Sequence, residues 1–181
     1  YIDVVAYPDI QFGIAAMESS YYTPDRSYDG RYRIGGAKLS LDGSPQGKTA
    51  WLTHPYHVPP PGQEADYVGY AALPDEEAYA LIEKAFANDW QLLVHANGDA
   101  AIDQLIAGVR AANTAYPNSD RRPVLIHGQT LRKDQIAGLV ETGILPSLFP
   151  MHTYYWGDWH RDSVLGNERA QYISPTRDVL E

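Results

Sequence analysis

The chain has 181 residues and a formal net charge of −9, from 14 Lys and Arg against 23 Asp and Glu, and 44% of it is hydrophobic. This composition is typical of one ordinary soluble domain. The acidic balance argues against binding to nucleic acid or to an anionic membrane, because both need clustered Lys and Arg. The absence of cysteine excludes a disulfide framework, a thiolate zinc site and a Cys nucleophile. It does not fix the compartment, for which a cytoplasmic location is the expectation.

The first part of the chain predicts two strands separated by irregular segments. Residues 2–7 form the first predicted strand, and because the chain starts at Tyr1 in this apolar run and without Met, we expect a piece of a longer protein. Weak periodicity then predicts at most one short helix, at 11–20. Residues 34–41 are the second predicted strand, and the Pro- and Gly-rich stretch 42–73 predicts a long loop of a kind that is usually functional.

Beyond Pro74, apolar stripes at helical spacing alternate with short apolar runs, which is typical of consecutive βα units with parallel strands. Helices are predicted around residues 75–86, 102–109 and 136–143, the second with Asp99 as its N-cap, and strands at 91–95, 124–127 and 144–149. These make about five βα units. A closed eight-unit barrel needs about 200 residues or more, so the chain is either an open doubly wound sheet or part of a TIM barrel.

Histidines end two consecutive predicted strands. His95 closes the strand 91–95 just before an Asn97-Gly98 turn, which is a generic turn signal, and His127 closes the strand 124–127. Neighbouring parallel strands lie about 4.8 Å apart, so the two imidazoles are expected side by side at one rim, an arrangement that suits a metal ion. A third donor would complete an open catalytic site. The alternative is a pair of hydrogen-bonded rim histidines without metal.

Three further features are weaker candidates. Strand alternation places Lys38 on a polar face of small residues, where it is either functional or an ordinary solvated lysine. His54 and His57 lie in the long loop, but the intervening proline denies them a helical face that would bring them together on a metal. The segment 151–160 has two histidines and four aromatic residues, which suits a ligand pocket, although its rings could instead cover the core. The predicted substrate-binding residues in this segment are His152, Tyr155 and Trp156.

Four motifs follow one another along the chain: Ala-Lys-Leu-Ser-Leu-Asp-Gly at 37–43, His-Ala-Asn-Gly-Asp-Ala at 95–100, Ile-His-Gly-Gln at 126–129 and Pro-Met-His at 150–152. With these motifs the chain resembles the amidohydrolase superfamily, over residues 36 to the C-terminus. The branch it resembles is amidohydrolase family 3, which includes enzymes similar to N-substituted formamide deformylase. The His-Ala-Asn-Gly-Asp motif is the specific part of this resemblance.

The resemblance implies a partial TIM (β/α)8 barrel with a parallel sheet, in which residues 1–181 hold about strands three to seven and the first and last barrel strands are missing. It implies that Lys38 matches a fourth-strand lysine that can be carboxylated to bridge two metals, and that His95 and His127 match fifth- and sixth-strand metal ligands. The divalent metal is expected to be zinc. No catalytic residue is expected within this chain, because the proton-transferring Asp of the last strand is expected beyond Glu181.

We therefore expect a fragment of a metal-dependent hydrolase that cleaves carbon–nitrogen bonds other than peptide bonds, of amide or N-formyl type, in a small-molecule substrate through metal-activated water. The isolated piece is expected to be inactive. Two other classes stay open, a non-catalytic binding module using the rings at 154–159 and an inert fragment that self-associates. A homo-oligomer is expected, formed through open sheet edges or through the helix face that carries Ile102, Leu105 and Val109.

Overall fold

The computed structural model describes residues 1–19, 22–117 and 120–181, which form an α/β fold with parallel strands. The strands are β1 (Val4–Ala6), β2 (Tyr32–Ile34), β3 (Ala37–Ser40), β4 (Leu92–Ala96), β5 (Val124–His127) and β6 (Leu145–Leu148). The helices are α1 (Ile14–Met17), α2 (Asp75–Ala87), α3 (Asp99–Ala115), α4 (Lys133–Thr142), α5 (Met151–Trp159), which continues into a π-helical turn over His160–Val164, α6 (Gly166–Ala170) and α7 (Thr176–Leu180). Within the described ranges, none of these helices is long and apolar enough to cross a membrane.

The four strands β3 to β6 form one parallel sheet in sequence order, and β1 and β2 form a second parallel pair. Backbone hydrogen bonds join the two, because the Lys38 N–H donates to the Pro8 carbonyl at 2.8 Å and the Ile10 N–H donates to the Lys38 carbonyl at 2.8 Å. The segment after β1 therefore extends the four-stranded sheet at β3, so that five parallel segments lie side by side. The prediction of a partial barrel with a parallel sheet is confirmed.

The predicted strand 34–41 is wrong in one respect, because Gly35 and Gly36 divide it into β2 and β3. The chain changes its strand partner there, because the Gly35 N–H donates to the Ala6 carbonyl at 2.9 Å whereas the Ala37 N–H donates to the Gln91 carbonyl at 2.8 Å. The backbone is also crowded at this point: a Cβ on Gly36 would lie 2.1 Å from the Gln91 carbonyl oxygen, and one on Gly35 would lie 2.7 Å from the Tyr7 ring. The predicted helix at 11–20 is shorter, as α1, and the end of that prediction at Ser20 lies outside the described residues.

Alternation along the strands separates two faces, as predicted for residues 37–41. Ala37, Leu39 and Leu41 are fully buried in the main apolar core, where α2 and α3 also pack, whereas Lys38 and Ser40 lie half-buried on the opposite face. In a closed barrel this second face is the interior. The helices therefore cover one side of the sheet and leave the side with Lys38 open for a site.

The predicted long loop at 42–73 contains no helix or strand, as expected, and it is fastened by a small core of its own. This second apolar cluster is formed by buried residues of the loop and of the C-terminal segment: Ala50, Leu52, Tyr56, Val164, Leu165 and Ile173. The Tyr56 hydroxyl donates to the Ala50 carbonyl at 2.8 Å. The loop is thus anchored against the C-terminal segment, and its first residues follow β3 directly.

Helix α3 begins at Asp99, and its N-cap residue is Gly98, so the prediction of Asp99 as the N-cap is wrong by one residue. The Asp99 carboxylate instead accepts hydrogen bonds from the Thr53 backbone N–H at 2.9 Å and from the Thr53 hydroxyl. It also pairs with the Arg132 guanidinium at 3.2 Å. These contacts tie the long loop to the start of α3 and to the residue that precedes α4.

The close approach at Gly36 makes a prediction about stability. Gly36→Ala should lower the free energy of unfolding by about 2 kcal/mol, because its methyl group would collide with the Gln91 carbonyl rather than with a flexible side chain. Gly157→Ala, in α5, is the matched control, since its Cβ meets nothing within 4 Å and alanine should stabilise the helix by about 0.5–1 kcal/mol. Urea denaturation measures both, and equal stability of wild type and Gly36→Ala would contradict the crowding argument.

The expected homo-oligomer stays a prediction, but one of its two routes is wrong. Ile102, Leu105 and Val109 are fully buried in the core of the same chain and offer no surface to a second copy. The edge route remains, because in the described part of the chain β6 pairs only with β5, while Leu145 and Met151 are each 51% exposed. Unpaired backbone groups at such an edge favour pairing with another chain.

For the 181-residue chain by itself, we propose that two copies associate through the β6 edge. Repulsion from the net charge of −9 is screened within about 8 Å at physiological salt, so edge pairing should prevail. Sedimentation equilibrium across a dilution series should show a dimer or larger species, and Leu145→Lys should return it to the monomer. Val140→Lys, on the exposed side of α4, should leave the association unchanged. A strictly monomeric wild type at high concentration would contradict the proposal.

Candidate metal-binding site

His95 and His127 end the neighbouring strands β4 and β5, and their rings meet edge to face with centroids 4.9 Å apart. This contact is unexpected for a regular ladder, which pairs His127 with Ala96, a residue buried on the helix side. The backbone of His127 has a φ of 77°, in the left-handed region, so the strand ends there and the ring lies beside His95. A non-glycine residue in this region costs about 1–3 kcal/mol, and such strain is concentrated at functional sites.

Lys38 lies on the same face of the sheet as His95. The ladder aligns Ser40 with His95, and alternation places Lys38 one pleat earlier on that face. Its Nζ donates to the Leu39 carbonyl at 3.0 Å, and burial lowers the pKa of Lys38 below its usual value, an effect that the charge of Asp9 opposes. A lower pKa increases the fraction of neutral amine, which is the form with a lone pair.

The contacts of His95 favour a proton on one of its two ring nitrogens. Nε2 lies 2.9 Å from the Gly43 carbonyl oxygen and 3.5 Å from Oδ1 of Asp42. Both atoms are acceptors, so in the neutral ring Nε2 is protonated and donates to Gly43. The Asn97 side-chain amide donates to the same carbonyl at 2.8 Å, and its 3.1 Å approach to Nε2 is a contact between two donors. Nδ1 therefore holds the lone pair that a metal ligand needs.

A buried carboxylate supports the turn that follows His95. Asp42 directly follows Leu41, and its side chain is completely buried. Oδ1 accepts the Asn97 N–H at 2.9 Å, and Oδ2 accepts the N–H groups of Gly98 at 2.7 Å and Trp51 at 3.0 Å. Burial raises the pKa of Asp42, while these donors and the neighbouring His95 act in the opposite direction.

Sequence reasoning missed Asp42 as a site residue and treated Asn97-Gly98 as a generic turn. The available signal was the position of an aspartate immediately after a strand that carries a candidate ligand, since the carboxyl ends of parallel strands are where functional groups collect.

A row of rings extends from the histidine pair toward α5. His127 lies 6.3 Å from Phe149, Phe149 lies 4.4 Å from His152, and His152 stacks at 6.4 Å on His160, all between ring centroids. Burial lowers the pKa of His127 to about 4, helped by the charges of His95, His152 and Lys38. Burial also lowers the pKa of His160 to about 4 and that of His152 below its usual value. These three imidazoles are neutral near neutral pH.

The predicted substrate-binding residues occupy different surroundings. His152 belongs to the row of rings and contacts the Gln46 amide, whose Nε2 lies 2.7 Å from Nδ1 of His152. Tyr155 is 65% exposed and packs on Tyr154, and Trp156 is 44% exposed. The segment 151–160 is helical over Met151–Trp159, so the alternative of a loop whose rings cover the core is wrong. The role of His152, Tyr155 and Trp156 in substrate binding stays a prediction.

The donor set fits a metal ion in part. Two imidazoles lie in contact beside a half-buried lysine of lowered pKa, that of His127 with a pKa lowered to about 4, and neutral imidazole is the commonest metal ligand. Lys38 can join them only in its carboxylated form, which replaces an ammonium without a lone pair by an oxygen donor. Among the residues that the structure describes, no three His, Asp or Glu side chains cluster closely enough to hold a metal by themselves.

His54 and His57 line a cleft of about 800 Å³ whose lining does not include Lys38, His95 or His127. The cleft lies between the long loop, the start of α4 and the C-terminal segment, and Asp99, Arg132 and Arg169 also line it. A metal at His54 and His57 stays a prediction, because among the described residues no third His, Asp or Glu joins the pair closely enough to hold an ion.

The fold defines a class of protein, an α/β chain of consecutive parallel βα units of the barrel type, with two histidines in contact at the strand ends. The family model for amidohydrolase family 3, described as Amidohydrolase family, matches residues 13–181. The chain therefore belongs to the amidohydrolase family.

Individual relatives are similar over most of this chain. YtcJ of Bacillus subtilis (strain 168), named as an amidohydrolase, is 31% identical over 138 residues, which cover 76% of this chain and 24% of YtcJ. An uncharacterized metal-dependent hydrolase from Pyrococcus furiosus has a TM-score of 0.74 and 27% identity, over 94% of this chain and 33% of its own. Another uncharacterized metal-dependent hydrolase, from Pyrococcus horikoshii OT3, has a TM-score of 0.78 and 26% identity, over 99% of this chain and 34% of its own. The chain thus spans about a quarter to a third of the length of these relatives.

The buried His160 should make the stability of the chain depend on pH. Its pKa is about 4 in the folded chain and about 6.5 when unfolded, so the unfolded chain takes up this proton first as the pH falls. Between about pH 6.5 and about pH 4 the histidine therefore destabilises the fold progressively, by about 2 kcal/mol on going from pH 7.5 to pH 5. Between pH 7.5 and pH 5, the free energy of unfolding of His160→Gln should therefore fall by about 2 kcal/mol less than that of the wild type.

Chemical denaturation at a series of pH values measures this difference. His54→Gln, which removes an exposed histidine, controls for the loss of one imidazole and should follow the wild-type curve. Parallel curves for wild type and His160→Gln would contradict the prediction.

Proposed function

We propose that Lys38, His95 and His127 form part of the metal-binding site of a metal-dependent hydrolase that acts on carbon–nitrogen bonds, with zinc as the metal. One observation carries this proposal: two imidazoles in ring contact, 4.9 Å apart, end neighbouring parallel strands on the face that also carries a half-buried lysine. Membership of the amidohydrolase family and the likeness to two metal-dependent hydrolases support a hydrolase with a divalent metal.

The chain's own residues would prepare the site in three ways. His95 presents an Nδ1 lone pair because Nε2 donates to the Gly43 carbonyl. His127 stays neutral because its surroundings lower its pKa to about 4. Lys38 reacts with carbon dioxide most readily as the neutral amine, whose fraction rises as burial lowers its pKa. When bound, the metal would supply a Lewis acid and a water of lowered pKa.

Substrate binding is proposed for the side chains next to the histidine pair. His152 lies within the row of rings that begins at His127, and its Gln46 contact orients its imidazole. Tyr155 and Trp156 add exposed aromatic surface in the same helix, which suits an apolar group on the substrate. The carboxylate that passes a proton to the leaving nitrogen is proposed to come from a part of the longer relatives that this chain does not cover.

The substrate is proposed to be a small molecule with an amide or N-formyl group rather than a peptide, as in enzymes similar to N-substituted formamide deformylase. Attack of a hydroxide on the carbonyl carbon would break the carbon–nitrogen bond, and the leaving nitrogen would take up a proton. The release of amine from N-formyl and N-acyl compounds, measured with a polypeptide that contains this chain and the other barrel strands, tests this substrate class.

Metal binding by the chain itself tests the proposed site. Isothermal titration with zinc should show weak binding, because two imidazoles are an incomplete ligand set. Bicarbonate should strengthen this binding by supplying the carboxylated form of Lys38. His127→Ala and His95→Ala should each weaken it at least about tenfold, and Lys38→Met should remove only the bicarbonate effect.

His54→Ala is the matched control, since it removes a histidine from the separate cleft and should bind zinc as the wild type does. A tight stoichiometric site that survives His127→Ala would place the metal elsewhere and contradict the proposal. Absence of zinc binding together with binding of an aromatic ligand to α5 would favour the non-catalytic binding module, for which the exposure of Tyr154, at 85%, is the supporting observation.

A further inference from the structure

The buried Asp42 carboxylate accepts hydrogen bonds from three backbone N–H groups and also lies close to His95. Oδ2 accepts two backbone N–H groups, from Trp51 and Gly98, while Oδ1 accepts the Asn97 N–H and also lies 3.5 Å from Nε2 of His95. The side chain is completely buried, and its neighbour Gly43 supplies the carbonyl that accepts from the same Nε2. Two consecutive residues thus present oxygen acceptors to one nitrogen of His95.

From this arrangement we propose that Asp42 is a positioning residue for His95: it clamps the turn after β4 and keeps the proton of His95 on Nε2. The inference rests on the proposed function in one point, that His95 is a metal ligand. Asp42 itself has no place in the proposed ligand set, because its carboxylate lies on the Nε2 side of the ring and both of its oxygens are already engaged by backbone donors.

The chemistry requires a carboxylate rather than any polar side chain of the same shape. An ionised aspartate offers only acceptors, about four lone-pair sites, and all three N–H groups around it are donors. An asparagine in its place would direct an NH2 group toward at least one of these donors, which would push the Asn97-Gly98 turn away. The turn follows His95 directly, so its displacement changes the ring's position relative to the Gly43 carbonyl.

The clamp also explains why the Asn97 side chain donates to Gly43. With the Asn97 N–H held by Oδ1 of Asp42 at 2.9 Å, its side-chain amide lies 2.8 Å from the Gly43 carbonyl oxygen. That carbonyl then accepts from two donors, Nδ2 of Asn97 and Nε2 of His95. Asp42 therefore acts on His95 in two ways: its Oδ1 lies 3.5 Å from Nε2 of His95, and it holds Asn97, which shares the Gly43 carbonyl with His95.

The test is the tautomer of His95 in the metal-free chain, read from the imidazole ¹⁵N shifts and the two-bond ¹⁵N–¹H correlations by NMR. In the wild type the proton should be on Nε2. In Asp42→Asn a substantial fraction of the neutral ring should carry it on Nδ1 instead, and zinc affinity should fall at least about tenfold, as losses of partners that orient a ligand typically do. A purely structural role would lower stability without moving the tautomer.

Asp99→Asn is the matched control, because Asp99 also accepts a loop N–H, from Thr53, while its other partners are the Thr53 hydroxyl and the Arg132 guanidinium rather than His95. It should lower stability and leave the His95 tautomer on Nε2. Asp42→Glu, which keeps the charge, should recover the Nε2 tautomer in part.

Each outcome bears on one hypothesis. A wild-type proton on Nδ1, or an unchanged tautomer in folded Asp42→Asn, would overturn the positioning role, and the wild-type spectrum gives this answer even if the variant does not fold. A tautomer that shifts as expected while zinc affinity stays unchanged would leave Asp42 as the orienting group and would instead overturn the proposal that His95 binds the metal.

Discussion

Hydrogen bonding between neighbouring parallel strands is the constraint on which the whole site depends. The ladder aligns Ser40 with His95 and Ala96 with His127, so three successive strands present their ends at the same edge of the sheet. Residues far apart in sequence are brought together by backbone groups that must pair in any case. The ladder brings the strand ends together, and the left-handed backbone at His127 then places its ring beside that of His95.

Removal of these groups from water determines what they can do once they are together. Burial lowers the pKa of Lys38 and of His127, which raises the fraction of the Lys38 amine that is neutral and leaves His127, with a pKa of about 4, neutral near pH 7. Metal binding at a protonated histidine would have to release a proton, which weakens affinity near neutral pH. The helices contribute to this burial indirectly. They cover one face of the sheet and leave the other face, which carries Lys38, half-buried.

Much of the fold and part of the site follow from sequence patterns. The period of the apolar residues predicted the parallel strands around Leu92, Val124 and Leu145, and alternation predicted that Lys38 lies opposite Leu39. These succeed because side-chain direction follows from regular backbone angles. The adjacency of His95 and His127 was predicted from strand spacing, and the structure brings their rings together, although by a different backbone path at His127.

The features that sequence patterns missed depend on contacts between distant residues. The change of strand partner between Gly35 and Ala37 depends on Ala6 and Gln91, and the buried Asp42 depends on N–H donors of Trp51 and of the turn after β4. Periodicity carries no information about such contacts, since it describes one segment at a time. The helix over Met151–Trp159 was missed for a related reason, because its aromatic residues lie on exposed faces and give no apolar stripe.

The left-handed backbone of His127 also limits how this position can change in evolution. Among side chains other than glycine, Asn, Asp and His tolerate that conformation best, and branched apolar residues tolerate it least. Substitutions that keep the fold therefore favour oxygen donors in place of the imidazole. Oxygen ligands suit harder cations such as Mn²⁺ or Mg²⁺ better than a nitrogen ligand does. In the proposed metal site, the backbone angle at His127 therefore favours, among side chains other than glycine, replacements that keep a donor atom for a metal.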